Sequence, residues 1–542
     1  MKLKFIGAFV MASSVLTGCS DFLVENPQGK LTPETFFATQ DDLDMSVSAL
    51  YEAVAWTEAY TNMQIPQWQG DDLTTNPGSN KQAYAECDRF SPSNTNKGVT
   101  DCWNRHNNVI QAANPIILYA SSAQASKEEI NIALGQAKFW RAYAYFVLVR
   151  LFGPLPMNLD NVVDEYTRPL TSVEGVYDQI VKDLTDAETL LPTKYDRAPR
   201  FNYETNIYVT QQAAKSMLSA VYMAMAGWPM NKTEYYEQAA VKAKEVIDGV
   251  KAGKYEYKLE ADYKDVYSMG NNYNKETVVG ISYSPKVGEW GLNSQMTSSQ
   301  LFESVGGWGD AWGTYDFWKR FPEGPRKDAT YAKQIIDKEG VKLYNFWDSK
   351  VETNEKGEEV TFYYIPEKHP MFCSFIVNRN EDKENIDAPF DYTKPNSQNM
   401  TNGHRHRLIR YSEVLLWYAE AVGRSGKTDA LAFECLNAVR TRAGLEALNG
   451  LSAQQLAEAA FDEHGWEVAG YWVALVTRRA DMFRMNRLKD VFAKRKANAP
   501  VEVASGISFT EPITITAASW SDDMMYMPYP SSDASKNPNL VR

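Results

Sequence analysis

Two stretches of the chain gather aromatic side chains among polar ones. Residues 67–105 place Trp68, Tyr84 and Trp103 among Asp71, Asp72, Asn76, Asn80 and Arg89. Residues 283–318 place Tyr283, Trp290, Trp308, Trp312 and Trp318 in glycine-rich loops. Five of the fourteen tryptophans fall between 290 and 347. Flat rings pack against C–H groups, and amide, carboxylate and guanidinium groups fix orientation, so such a set is suited to binding. An indole in a glycine-rich loop has less scaffold around it than one on a helix, so exposure is expected there; burial in a core is the alternative for each ring. The candidate binding residues are Trp68, Asp72, Asn76, Tyr84, Arg89, Trp103, Tyr283, Trp290, Trp308 and Trp312.

Catalytic constellations are sparse. There is no HExxH, GxSxG or phosphate-binding loop. His404-Arg405-His406-Arg407 puts two histidines on one face of an extended strand, but no third ligand is spelled out nearby, so the run reads as a basic lead-in to the next helix. Asp462, Glu463 and Glu467 share a helical stretch. Glycosidases set two carboxylates across a sugar, whereas these are expected to pair with Arg478 and Arg479 or to face water. The loop 270–276 has side chains suited to a structural calcium but not EF-hand spacing, and no metal or cofactor is assigned.

The elements carrying these residues are mostly helical. Residues 133–152 are apolar nearly all round, as in a helix packed on several sides, and Gly153-Pro154 stops it. Helices are expected at 174–191, 208–226, 234–249, 410–424 and 429–442, with Trp140, Trp417 and Trp466 in the core. From about 255 to 405, Gly, Pro and Asn break the chain, with β-leaning runs at Thr277–Tyr283 and Thr361–Ile365. Two helices begin ~34 residues apart, the spacing of tetratricopeptide units, without their strict consensus. The expected fold is a mostly α, tetratricopeptide-like solenoid with a long irregular, partly β insert. Its single body spans 34–542: scaffold at about 34–254 and 406–495, a ligand-binding insert at about 255–405, and an irregular C-terminal segment at 496–542.

The 542 residues carry a formal charge of −13, which argues against a general nucleic-acid binder. Lys2 and Lys4 precede an apolar stretch, Phe5 to Val15, too short to span a bilayer. It ends Leu16-Thr17-Gly18-Cys19, which resembles a bacterial lipobox. Residues 1–18 are therefore expected to be a lipoprotein signal, Cys19 the lipidated residue and 19–33 a tether. Loss of Lys2 and Lys4 makes the mature charge −15. Of the remaining cysteines, Cys87 and Cys102 either form a disulfide or, with Cys373 and Cys435, stay reduced and buried.

Several segments, in order, resemble the SusD/RagB family of outer-membrane nutrient-binding lipoproteins. They are GQAKFWRAYAYFVLVRLFGPLP (135–156), VYDQIVKDLTDAETLLP (176–192), IRYSEVLLWYAEAV (409–422), LNAVRTRAGL (436–445) and MPYPSSDASKNPNL (527–540). The block 461–483 fits the family pattern only loosely, and 255–405 has no quotable match. The resemblance implies a non-catalytic, cell-surface glycan-binding protein that acts as a lid on a SusC-like TonB-dependent transporter, with RagB-like peptide cargo as the alternative. A glycoside hydrolase would need a carboxylate pair that cannot be placed. Under the glycan reading, sugar C–H faces would stack on the aromatic residues above.

Overall fold

The computed structural model describes residues 36–160, 165–195, 207–283, 294–337, 339, 341–375 and 402–541. The expectations at Cys19 and Trp290 lie outside them. The principal helices are α1 (Gln40–Glu58), α2 (Lys97–Tyr119), α3 (Lys127–Phe152), α4 (Val173–Leu190), α5 (Gln211–Ala226), α6 (Tyr235–Lys251), α7 (Tyr411–Arg424), α8 (Ala430–Arg442) and α9 (Ala453–Glu467). Their starts follow capping chemistry. Ser126, Ser172, Thr210, Asp429 and Ser452 each accept a hydrogen bond from a first-turn backbone N–H. Gly153, at φ 71°, closes α3 where a side chain would be strained.

Each helix packs on its neighbour in the chain: α1 on α2, α2 on α3, then α3 on α4, α4 on α5 and α5 on α6. Helix α6 packs on α7, although some 160 residues separate them, so the solenoid runs straight across the insert. Small residues sit at the crossings, with Ala137, Ala144, Ala213, Ala239 and Ala243 fully buried. At Gly423 a Cβ would lie 2.6 Å from the Ala453 carbonyl oxygen, which explains glycine where α7 meets α9. Trp140 and Trp417 lie in this core as expected, and Trp466 is half-buried against it.

The irregular region hangs on two short pairings. Strand β1 (Leu73–Thr74) runs antiparallel to β3 (Trp312–Gly313), with Thr74 opposite Trp312. Strand β2 (Thr277–Ile281) runs antiparallel to β8 (His406–Arg410), which leads directly into α7. Between them lie β4 (Ile335–Ile336) with β5 (Leu343–Tyr344), and the hairpin of β6 (Ser349–Thr353) and β7 (Glu359–Tyr363). A last hairpin pairs β9 (Val501–Ala504) with β10 (Ile507–Phe509). A second small core lies beneath these loops, with Phe302, Trp312, Tyr315, Phe346, Ile365 and Met371 joined by Val503 of the C-terminal hairpin.

The charged motifs are buried. The run His404-Arg405-His406-Arg407 leads into α7 as expected, with both histidines buried, in and just before β8. His404 Nε2 bonds the Tyr267 carbonyl at 2.7 Å, and His406 Nε2 lies 2.7 Å from Ser294 Oγ. Burial, then the Arg407 charge, pushes His404 down to about 3. Glu463 and Glu467 are fully buried and do not meet Arg478 or Arg479. Glu467 takes Arg326 at 2.9 Å, Arg410 at 2.8 Å and Arg442, and Glu463 takes Arg326 at 2.7 Å and Arg440 at 2.9 Å. Their helix, α9, packs its carboxylate edge onto β8 and α8, where those guanidinium groups converge. Arg478 pairs with Asp71 at 2.7 Å, and Arg479 bonds Gln69 and the Met525 carbonyl. Cys87 and Cys102 are free, buried thiols, not a disulfide. Burial pushes both well above the ordinary thiol range.

Candidate ligand-binding site

The β1–β3 pairing brings the two aromatic stretches together. Thr314 N–H donates to the Asp72 carbonyl at 3.0 Å, and Thr314 Oγ1 to the Asp71 carbonyl at 2.6 Å. This junction places Asn76 and Trp312 in the wall of one cleft of about 580 Å³. Segment 366–369 and the strand and turn 508–512 complete it.

The floor is aromatic. The Tyr315 ring stacks on His369 at 4.2 Å, and Trp312 lies 4.7 Å from the same imidazole. Tyr315 O–H donates to the Lys368 carbonyl at 2.9 Å, and burial pushes its phenol well above the usual range. The floor is held from the C-terminal side by Glu511, which accepts from Tyr315 N–H at 2.8 Å and lies 3.3 Å from His369 Nε2. Glu367 accepts from both Ser304 N–H and Ser304 Oγ, so its carboxylate is spent on the turn at 303–305 across the cleft wall. Trp312 is 5% exposed and Tyr315 1%, so these rings show the cleft mainly their edges; Phe509 is half-buried at the rim. Asn76, Ser508 and Thr510 supply amide and hydroxyl groups around them. Trp312 Nε1 is buried without a hydrogen-bond partner among the described residues, a state that costs free energy unless water or a ligand satisfies it.

Most of the other expected contacts are core instead. Trp68 is fully buried, donates to the Asp310 carbonyl at 3.0 Å and packs between Tyr84 and Trp472. Tyr84 shares that burial. Trp103 sits on α2 between Phe152 and Tyr529 and donates to Asp533 at 3.2 Å. Tyr283 covers His406 and donates to the Ala55 carbonyl at 2.9 Å. Each of these four rings is packed by the protein, and none of them lines the cleft. Arg89 is half-buried and bonds its own helix, at the Ala85 carbonyl. Trp308 is half-buried edge-on to Tyr60 at 5.7 Å and does not line the cleft. Tyr315, His369 and Phe509 were missed. The last was signalled by Val501, Val503, Ile507 and Phe509 alternating about Ser505-Gly506, a hairpin pattern.

Asp72 has a positioning role. Its Oδ2 accepts from Gly470 N–H at 2.8 Å, tying the base of β1 to the segment after α9. Burial, then the neighbouring Asp71 charge, pushes its carboxyl up to about 6. A carboxyl raised in this way is neutral at no cost below its unfolded value near 4, and the fold loses stability as pH climbs through 6. Asp72→Asn keeps the acceptor without the charge. Urea midpoints at pH 4 and pH 7 are expected to show the variant gaining on the parent by up to about 3 kcal/mol at the higher pH. A pH-independent difference contradicts this.

The comparisons with known proteins agree with this architecture. Residues 21–223 match a family model described as "Starch-binding associating with outer membrane", and 235–542 match one described as "SusD family". A SusD-like protein of Bacteroides ovatus is 24% identical over the whole chain and 97% of its own length. SusD-like protein P2 of Formosa agariphila is 25% identical, covering 82% of each chain. Among solved structures, a SusD homolog from Bacteroides thetaiotaomicron superposes with a TM-score of 0.74 at 18% identity, covering 94% of this chain and 97% of that one. Another, described as "with xylogluco-oligosaccharide", gives 0.68 at 21% identity, covering 92% and 98%. Surface glycan-binding protein A from Bacteroides uniformis gives 0.67 at 20%, covering 93% and 99%. With more than half its length matched by the SusD model and the fold shared almost end to end, the chain belongs to the SusD/RagB family.

Proposed function

We propose that the protein binds glycan without cleaving it, in the cleft between β3, segment 366–369 and the C-terminal hairpin, and delivers it to a SusC-like TonB-dependent transporter. The observation that carries the reading is the cleft itself: the edges of Trp312, Tyr315 and His369 and the half-buried Phe509 ring beside an amide and hydroxyl rim. That combination suits the C–H groups and hydroxyls of sugars. The xylogluco-oligosaccharide named for one structural relative, and the glycan-binding name of another, support the same ligand class. Binding without hydrolysis is favoured because, of the two carboxylates among the described residues lining the cleft, Glu367 is already engaged by Ser304, which leaves only Glu303; a glycosidase needs one carboxyl to give and one to take. The protein would sit on the outer membrane, anchored through a lipidated Cys19 and facing the cell exterior.

Purification of the detergent-solubilised complex followed by mass spectrometry of the bound ligand tests this reading. Oligosaccharide is expected, with a co-purifying β-barrel transporter. Bound peptide would replace the glycan reading with a RagB-like one. Sugar fragments released from labelled polysaccharide by the purified protein would contradict the non-catalytic assignment.

A further inference from the structure

Beside the cleft stands a hairpin with no core of its own. Strands β6 and β7 pair only with each other among the described residues, and nearly every position on both is exposed. Val351 is 64% exposed, Val360 47% and Phe362 39%. A two-stranded ribbon with both faces in water is marginal alone. Here it is fastened at its root, where Tyr344 and Tyr364 stack at 3.8 Å and Tyr364 N–H donates to the Asp348 carbonyl at 3.1 Å.

The register separates its two faces. Ser349 lies opposite Tyr363 and Val351 opposite Thr361 on one; Lys350 lies opposite Phe362 and Glu352 opposite Val360 on the other. The first face continues the cleft. The Tyr363 ring meets Phe509 at 5.7 Å, and the Lys368 ammonium lies 5.0 Å from its centroid; Phe509 and Lys368 both line the cleft. On the second face the Lys350 ammonium lies 5.1 Å from the Phe362 centroid, and neither of these residues lines the cleft.

We propose that the face bearing Tyr363, Val351 and Thr361 extends the cleft and holds the part of a long saccharide chain that emerges over Phe509. Tyr363 and Val351 offer apolar surface to sugar C–H groups, and the Ser349 and Thr361 hydroxyls offer hydrogen bonds. The protein then favours polymer over short oligosaccharide. This inference rests on the glycan reading of the cleft.

Titration of a length series of one bound glycan into the parent and three variants tests it. The parent is expected to bind long chains more tightly than the shortest oligosaccharide that fills the cleft. Tyr363→Ala and Val351→Asp are each expected to weaken the long chain roughly threefold to tenfold, the scale of one aromatic or apolar contact, leaving the short oligosaccharide unchanged. Val351 is exposed enough for its variant to fold normally. Val360→Asp, on the opposite face, is expected to change neither. Long-chain affinity unchanged in both Tyr363→Ala and Val351→Asp overturns the proposal, as does equal weakening by Val360→Asp. Loss of transporter capture by Val351→Asp with long-chain affinity intact also overturns it, marking a protein contact instead. A parent that binds no glycan of any length refutes the reading of the cleft, a separate and distinguishable failure.

Discussion

Glu467→Ala is expected to destabilise the fold by about 3–5 kcal/mol, the scale of removing one partner from a buried charge cluster. Glu467 is fully buried at the end of α9 and holds three guanidinium groups: Arg326 from the short helix Pro325–Thr330, Arg410 from β8 and Arg442 from α8. Burial alone would raise its carboxyl, but Arg442, Arg410 and Arg326 outweigh it and hold the group far below the usual carboxylate range. Its contribution is therefore present in full above the ordinary carboxylate pKa and is lost progressively as pH falls below it toward the depressed folded value. Without the carboxylate, the cations remain in an interior that cannot hydrate them, and the joint between insert and solenoid opens. The urea midpoint measures the loss, with an unchanged m-value marking it as stability rather than a changed unfolded state. Glu434→Ala, which removes an exposed partner of Lys251, should cost under about 0.5 kcal/mol. Equal losses at the two sites would contradict the role given to Glu467.

Trp312→Ala is expected to weaken glycan binding by about thirtyfold or more, corresponding to the ~2 kcal/mol of a central aromatic contact. The indole reaches the cleft through a small exposed margin and packs on Phe302 and His369. Its loss therefore also costs stability, and affinity must be measured per folded molecule. Asn76→Ala separates the two effects. Asn76 is half-buried at the rim, where its Oδ1 accepts from Gly78 N–H, so truncation should leave the fold intact while binding falls roughly fivefold to tenfold. Circular dichroism and a thermal melt of each variant supply the folding control.

The scaffold was legible because its signals are local. A helix apolar nearly all round must be packed on several sides, and α3 is; serine and threonine caps mark where helices start. The candidate site was only partly legible. Of ten residues, Asn76 and Trp312 line the cleft, and both lie beside the β1–β3 junction that joins the two stretches. Trp68 and Tyr283 have similar local surroundings in the sequence, yet Trp68 bonds the carbonyl of Asp310 and Tyr283 that of Ala55. Whether an indole is platform or core depends on partners more than two hundred residues away, which no local pattern displays. The same holds for Glu467, whose arginines come from three separate segments. Phe509 differs: its hairpin was written in a short alternation, but its role depends on the hairpin folding back over the insert.

Calorimetric titration of a glycan panel into the parent, Asn76→Ala and Trp312→Ala tests most directly whether this cleft is the binding site. Saturable binding of one glycan class to the parent, weakened in both variants with their folds intact, is the expected result. Glycan binding of equal strength in all three proteins would place the site elsewhere on the molecule.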